Sequence, residues 1–171
     1  HWFTARANWV RSLRCSLSIP LLAFAPMAPA DGPLCDRLAA MAADPTHQGT
    51  PVDYAGIQPE TVIDACTAAV ASDPNNGRYW LQLGRGFLKA DRGSEMVEAF
   101  ERARDLAYPA AWFALAVTHH TGNGLPQTNR QQAELLYIEA WRRGVNYAAL
   151  GLARLYDEPG QPMYDLERSD V

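Results

Sequence analysis

Cysteine, lysine and long apolar runs are the scarce features of this 171-residue chain. Three cysteines cannot staple a chain of this length, which excludes a disulfide-dense mini-scaffold. Lysine occurs once, as Lys89, against fourteen arginines, and the formal charge is −4. A chain of that balance lacks the overall basic surface of a dedicated nucleic-acid binder. The apolar stretch from Leu17 to Met27 covers eleven residues and is broken by Pro20 and Pro26, too short for the ~20 residues of a spanning helix. No strand-like alternation of apolar and polar residues stands out either. What remains, 48% hydrophobic and 20% charged residues, is the profile of one folded globular domain rather than a disordered chain.

The first thirty residues differ from the rest. Arg6, Arg11 and Arg14 precede the Leu17–Met27 stretch, no acidic residue occurs before Asp31, and Ala28-Pro29-Ala30 follows. A positive segment, a short apolar segment and small residues at a cleavage site are the parts of a secretory signal, here cut after Ala30. The same composition would serve an N-terminal arm or an uncut anchor. Export predicts a periplasmic or secreted protein with no stable membrane insertion after cleavage. From Asp31 onward 12 basic and 19 acidic residues give −7, which disfavours nucleic acids and anionic membranes as partners. Cys35 and Cys66 then form an even pair whose spacing suits neither a zinc site nor a redox pair. In an oxidising compartment they would close a disulfide stabilising the fold by roughly 3–4 kcal/mol; the alternative is two buried thiols.

Through residues 31–157 apolar residues recur at helical spacing. Ala133, Leu136, Tyr137, Ala140 and Trp141 form one stripe, opened by Asn129 as N-cap and closed by Gly144. Glu139 and Arg143 add an i,i+4 pair on its surface. Three segments share a frame: Trp80 to Phe87, Trp112 to His119, and Ala149 to Tyr156. Each sets Leu and a small residue before an aromatic ring, so that a neighbouring helix can approach closely.

These residues carry a resemblance. Asp73-Pro74-Asn75-Asn76, then Trp80, Leu83, Gly84, Phe87, Phe100, Ala103 and Pro109, resemble a tetratricopeptide repeat, with Met96 in place of a small residue and Pro109 one position late. Ala111, Leu115, Ala116 and His119, then Gly122-Asn123-Gly124-Leu125-Pro126, Asn129, Ala133, Tyr137, Ala140 and Gly144, resemble the longer Sel-one-like variant, with His119 where that family has Tyr. The resemblance implies an all-α fold of antiparallel helix-pair repeats stacked as a short right-handed superhelix, an α-solenoid. Residues 31–76 are then an N-terminal cap, with helices over Leu34–Ala43 and Pro59–Ser72 pinned by Cys35–Cys66 and joined by a loop over Asp44–Gly56. Residues 77–157 are the repeats and 158–171 a tail.

No catalytic constellation rises above background. His119-His120 has no companion ligand at metal spacing, and His119 occupies a core position of the repeat. Gly122-Asn123-Gly124 lacks the strand and the Lys or Ser/Thr of a phosphate loop and reads as an inter-helix turn. No nucleophile motif surrounds any Ser or Cys. No enzyme activity, metal or cofactor is therefore expected.

The resemblance implies that the first helix of each pair lines a concave groove. Groove positions are then Arg78, Leu81, Arg85, Leu88 and Lys89 in the first unit and Ala110, Phe113, Val117, His120 and Thr121 in the second. The third unit supplies Tyr147, Leu150, Arg154 and Asp157. The basic and aromatic members, Arg78, Arg85, Lys89, Phe113, His120, Tyr147 and Arg154, suit an extended or acidic peptide; the plainer reading is solvated helix faces. The expected function is a non-catalytic scaffold or adaptor of a bacterial cell envelope, with a protein or peptide partner. Because the chain opens on His1 and the third unit is unfinished, the second reading is a regulatory or recruiting arm of a larger envelope enzyme, such as a peptidase or cell-wall hydrolase.

Overall fold

A computed structural model describes residues 32–157; the signal and tail assigned to 1–30 and 158–171 lie outside the described residues. Those described are all helical, with no strand: α1 Gly32–Ala39, α2 Pro59–Ser72, α3 Gly77–Lys89, α4 Gly93–Asp105, α5 Pro109–Thr121, α6 Arg130–Arg142 and α7 Tyr147–Asp157. A single 3₁₀ turn, Tyr54–Gly56, interrupts the loop between α1 and α2. None of these helices is long and apolar enough to cross a membrane.

Local chemistry sets the boundaries. Pro59 and Pro109 open α2 and α5, where a missing N–H costs nothing. The Asn76 side chain accepts from the Arg78 N–H, and that of Asn129 from the Gln132 N–H, capping α3 and α6. Gly122 ends α5 in the left-handed region at φ 80°, a conformation that favours glycine. The sequence places the first helix over Leu34–Ala43, but it stops at Ala39. There the chain turns, and the Ala39 and Ala40 carbonyls are taken up by the Arg85 guanidinium.

Each helix packs on the next in chain order, which is consistent with an α-solenoid. The odd-numbered helices also touch along a row, α1 on α3, α3 on α5 and α5 on α7, and no comparable contact joins the even-numbered ones among the described residues. Two cores result. One joins Cys35, Ile57, Val62, Ile63, Cys66 and Leu83 at the N-terminal end. The other runs through Leu81, Met96, Phe100, Leu115, Tyr137 and Leu155. Trp80 and Phe87 pack against both, so α3 belongs to the two at once. Each large side chain removed from water there contributes roughly 1.5–3 kcal/mol.

Cys35 and Cys66 are bonded as a disulfide, with Cα atoms 4.8 Å apart, tying α1 to α2. Close helix approach recurs at two glycines. A Cβ at Gly84 would stand 2.4 Å from the Phe100 ring, and one at Gly151 would stand 2.3 Å from the Tyr137 ring. On α7 Ala148, Gly151 and Leu155 are buried, each 37 positions after the buried Ala111, Ala114 and Thr118 of α5, the spacing read from the sequence, while Ala149 and Ala153 are exposed.

Candidate functional site

Phe113, Val117, His120 and Thr121 fall at i, i+4, i+7 and i+8 and share one face of α5. The opposite face, with Ala111, Ala114, Leu115 and Thr118, is buried. On α7, Tyr147, Leu150, Gly151 and Arg154, at i, i+3, i+4 and i+7, likewise share one face. The two faces enclose an open cleft of about 470 Å³, with Tyr137 of α6 as its floor, within the ordinary range for ligand clefts.

Aromatic rings dominate the cleft. Phe113 lies between two tyrosines, its ring centroid 5.9 Å from that of Tyr137 and 6.4 Å, edge-on, from that of Tyr147. Tyr137 is almost fully buried, and its hydroxyl shares a hydrogen bond of 3.2 Å with Nδ1 of His120, whose ring stands perpendicular to it. Tyr147 and Leu150 are each about half exposed, more apolar surface than a solvated helix face needs. Arg154 is exposed on the rim and makes no ion pair among the described residues. Thr121 donates its hydroxyl to the Val117 carbonyl, 2.9 Å away. No group of three or more His, Cys, Asp or Glu side chains among the described residues could hold a metal ion. The cleft can take an apolar or aromatic side chain against the joined Phe113 and Tyr147 rings, with Arg154 on its rim available to a carboxylate.

Four of the seven basic and aromatic groove candidates, Phe113, His120, Tyr147 and Arg154, therefore meet in one place. The other three do not reach it. Arg78 binds Asp36 of α1 through two hydrogen bonds of 2.8 and 3.3 Å. Lys89 lies over the Tyr54 ring at 4.4 Å. Arg85 is a correction: instead of facing a groove it is only 9% exposed, donating to the carbonyls of Ala39, Ala40 and Val52, each at 2.7 Å. Burial lowers its pKa from the ordinary value, and the nearby Asp53 charge partly offsets this. Leu81 and Ala110 are fully buried as well. The physical reason is α1 with the segment after it, which lies on the face of α3 that the groove frame leaves open.

Two members of the cleft were not among the candidates, Tyr137 and Gly151. Tyr137 reads in sequence as one residue of a core stripe. The signal for its second role is the pairing of a ring with a glycine on a facing helix, already present in Phe100 and Gly84.

His119, beside the cleft but outside its lining, has a buried Nδ1 with no hydrogen-bond partner. Desolvation lowers its pKa from the ordinary value, and Glu101 opposes this weakly. The neutral ring is the form that fits.

No family model, curated protein or solved structure matches this chain.

Proposed function

We propose that the chain is a non-catalytic interaction module that holds an extended peptide of a partner protein in the cleft between α5 and α7. The observation that carries this reading is the cleft itself: Phe113 and Tyr147 form a partly exposed aromatic wall beside Arg154, which makes no ion pair among the described residues. Rigid aromatic anchors with a flanking arginine are the features that concentrate binding energy at protein interfaces.

On this reading α3–α4 and α5–α6 are successive repeat units, α7 opens a third, and the odd-numbered helices line the inner face of a short right-handed superhelix. The disulfide and the N-terminal composition support action in an oxidising compartment, the periplasm or the exterior. Intact-mass measurement of protein recovered from the cell envelope tests that part. A chain beginning at Asp31, with Cys35 and Cys66 alkylated only after reduction, is expected; an uncut chain whose thiols alkylate freely would overturn export.

The binding reading is tested by selecting peptides from a random display library on the full chain and repeating the selection with Phe113→Ala and Arg154→Glu. Each substitution is expected to weaken the selected peptides at least tenfold, about 1.4 kcal/mol. Equal affinity for parent and variants would remove the cleft as the site.

A further inference from the structure

We infer that the α3 face bearing Arg78, Gln82 and Arg85 is a second peptide site, closed by the chain's own residues 32–52. Reduction of the Cys35–Cys66 disulfide opens it to an acidic peptide that presents a carboxylate and free main-chain carbonyls. The α5–α7 cleft plays no part in this site.

Three observations carry it. The first is the chemistry of the contact. Arg78, Gln82 and Arg85 fall at i, i+4 and i+7 on α3 and share one face. Arg78 donates to the Asp36 carboxylate at 2.8 and 3.3 Å, and Gln82 Nε2 donates to it at 2.9 Å. Arg85 donates to the carbonyls of Ala39, Ala40 and Val52. These donors read one carboxylate and the backbone, which another acidic peptide of similar course supplies equally.

The second is where the polar groups lie. Five polar or charged side chains are buried among the described residues: Asp36, Asp44, Gln82, Arg85 and Thr118. Thr118 returns its hydroxyl to the Ala114 carbonyl of its own helix. The other four all sit where residues 32–52 meet α3 and the start of α5, with Asp44 accepting from the Tyr108 hydroxyl. Paired, hydrogen-bonded charge fixes the register of a contact more than it adds stability. Such a seam has the character of a docked surface rather than of a core.

The third is how residues 32–52 are fastened. Their buried apolar side chains are small, Cys35, Ala39, Ala40 and Ala43, while Leu38, Met41 and Val52 are only partly buried. Among the described residues one disulfide, Cys35–Cys66, ties them to α2. A dithiol reductant exchanges with that bond: its two thiols are oxidised to a disulfide, and Cys35 and Cys66 each become a thiol. Both cysteines are fully buried, so the exchange proceeds from a state in which α1 has lifted off α3. Once reduced, the segment has lost its latch.

Two measurements on the full chain test this. Hydrogen exchange is compared before and after dithiothreitol, with intact mass after alkylation reporting the state of the two thiols. Residues 35–52 are expected to lose protection on reduction while α4 to α7 keep theirs. Retained protection of residues 35–52, uniform loss in every helix, or a bond that resists dithiothreitol in the folded protein would overturn the inference. This measurement needs no substitution, so it decides whether or not a variant folds.

The second measurement is binding. The probe is a fluorescein-labelled synthetic peptide with the sequence of residues 32–52, carrying Cys35→Ser. It is titrated into the unsubstituted, oxidised chain and into a chain carrying Cys35→Ser, Asp36→Ala and Cys66→Ser. Asp36 is replaced in that chain because a tethered segment with its carboxylate would compete at an effective concentration on the order of millimolar. The substituted chain is expected to bind the probe at least tenfold more tightly, and Asp36→Ala in the probe is expected to remove that gain. Equal affinity for both chains, or binding indifferent to Asp36, would overturn the inference. Phe113→Ala is expected to leave probe binding unchanged. Loss of probe binding with Phe113→Ala would place the peptide in the α5–α7 cleft and remove the second site, leaving the reading of the cleft standing.

Discussion

The α3 face that carries Arg78 and Arg85 and the facing sides of α5 and α7 start from similar sequence material and end in opposite states. On α3 the face is closed: Arg78 and Arg85 are spent on α1 and the loop after it, holding Asp36 and three backbone carbonyls. Along α5 and α7 the same kind of face is open, with Phe113, Tyr147 and Arg154 lining a cleft. An arginine expected to line a groove can thus be a buried clamp, as Arg85 is, or an exposed rim charge with no ion pair among the described residues, as Arg154 is. What differs is whether another part of the chain lies over it.

The largest test of this difference is the disulfide that anchors the cover. Replacing Cys35 and Cys66 with Ala is expected to cost about 3–4 kcal/mol on the loop-entropy model. Hydrogen exchange should then show α1 losing protection while α5, α6 and α7 keep theirs. Uniform loss across all helices would mean that the closed and open ends are one cooperative unit.

Next comes the contrast between the two arginines. Arg85→Met leaves the Ala39 and Val52 carbonyls without this donor, while the Ala40 carbonyl keeps the Val52 N–H, and is expected to lower stability by about 3 kcal/mol in urea unfolding. Arg154→Met should stay within about 0.5 kcal/mol, as for an ordinary surface site, while weakening peptide binding. Similar stability losses for both would erase the distinction between clamp and rim.

A smaller effect is expected at the floor of the open cleft. Gly151→Ala places a methyl against the Tyr137 ring and should cost about 1–3 kcal/mol by overpacking. It should also change the near-ultraviolet signal of the tyrosines, because the Tyr137 ring must shift from its seat on Gly151. Unchanged spectra and binding would show that the ring seat does not shape the cleft.

The smallest concerns His119. Its pKa is lowered in the folded protein by desolvation, so the folded state disfavours the protonated ring. Stability from this group is therefore fully present above the ordinary value of 6.5 and is lost as pH falls below it toward the folded value. His119→Phe removes the unpaired Nδ1 and is expected to stabilise by about 1 kcal/mol near neutrality. The gain should widen at pH 5.5 relative to pH 7.5 in denaturant midpoints. An identical gain at both pH values would show that His119 does not titrate with unfolding.

Much of the helical framework is legible without coordinates, because its signals are local. Pro59 to Ser72 is recovered residue for residue, Asn129 caps α6 as its side chain and position imply, and Gly144 follows α6 at φ 83°. Glu139 and Arg143 form the expected ion pair. The third segment was legible only in part. Its helix is present and its buried positions keep the expected 37-residue spacing from α5, but the seat of the Tyr137 ring on Gly151 is not legible, because that ring comes from α6. Of the cleft, the α5 and α7 residues are readable as one helix face each, whereas the floor is not, because it comes from a third helix.

The sequence by itself determined the helices, their caps and the cysteine pair, for each is written in residues within a few turns of one another or in a count of thiols. Which of these helix faces is closed was decided only by the tertiary structure. Arg85 and Arg154 are equally plausible groove residues along the chain. Arg85 meets carbonyls 33 to 46 positions away, whereas Arg154 has a face with nothing described lying over it. Burial is a property of what arrives from elsewhere in the fold, and no local periodicity encodes that arrival.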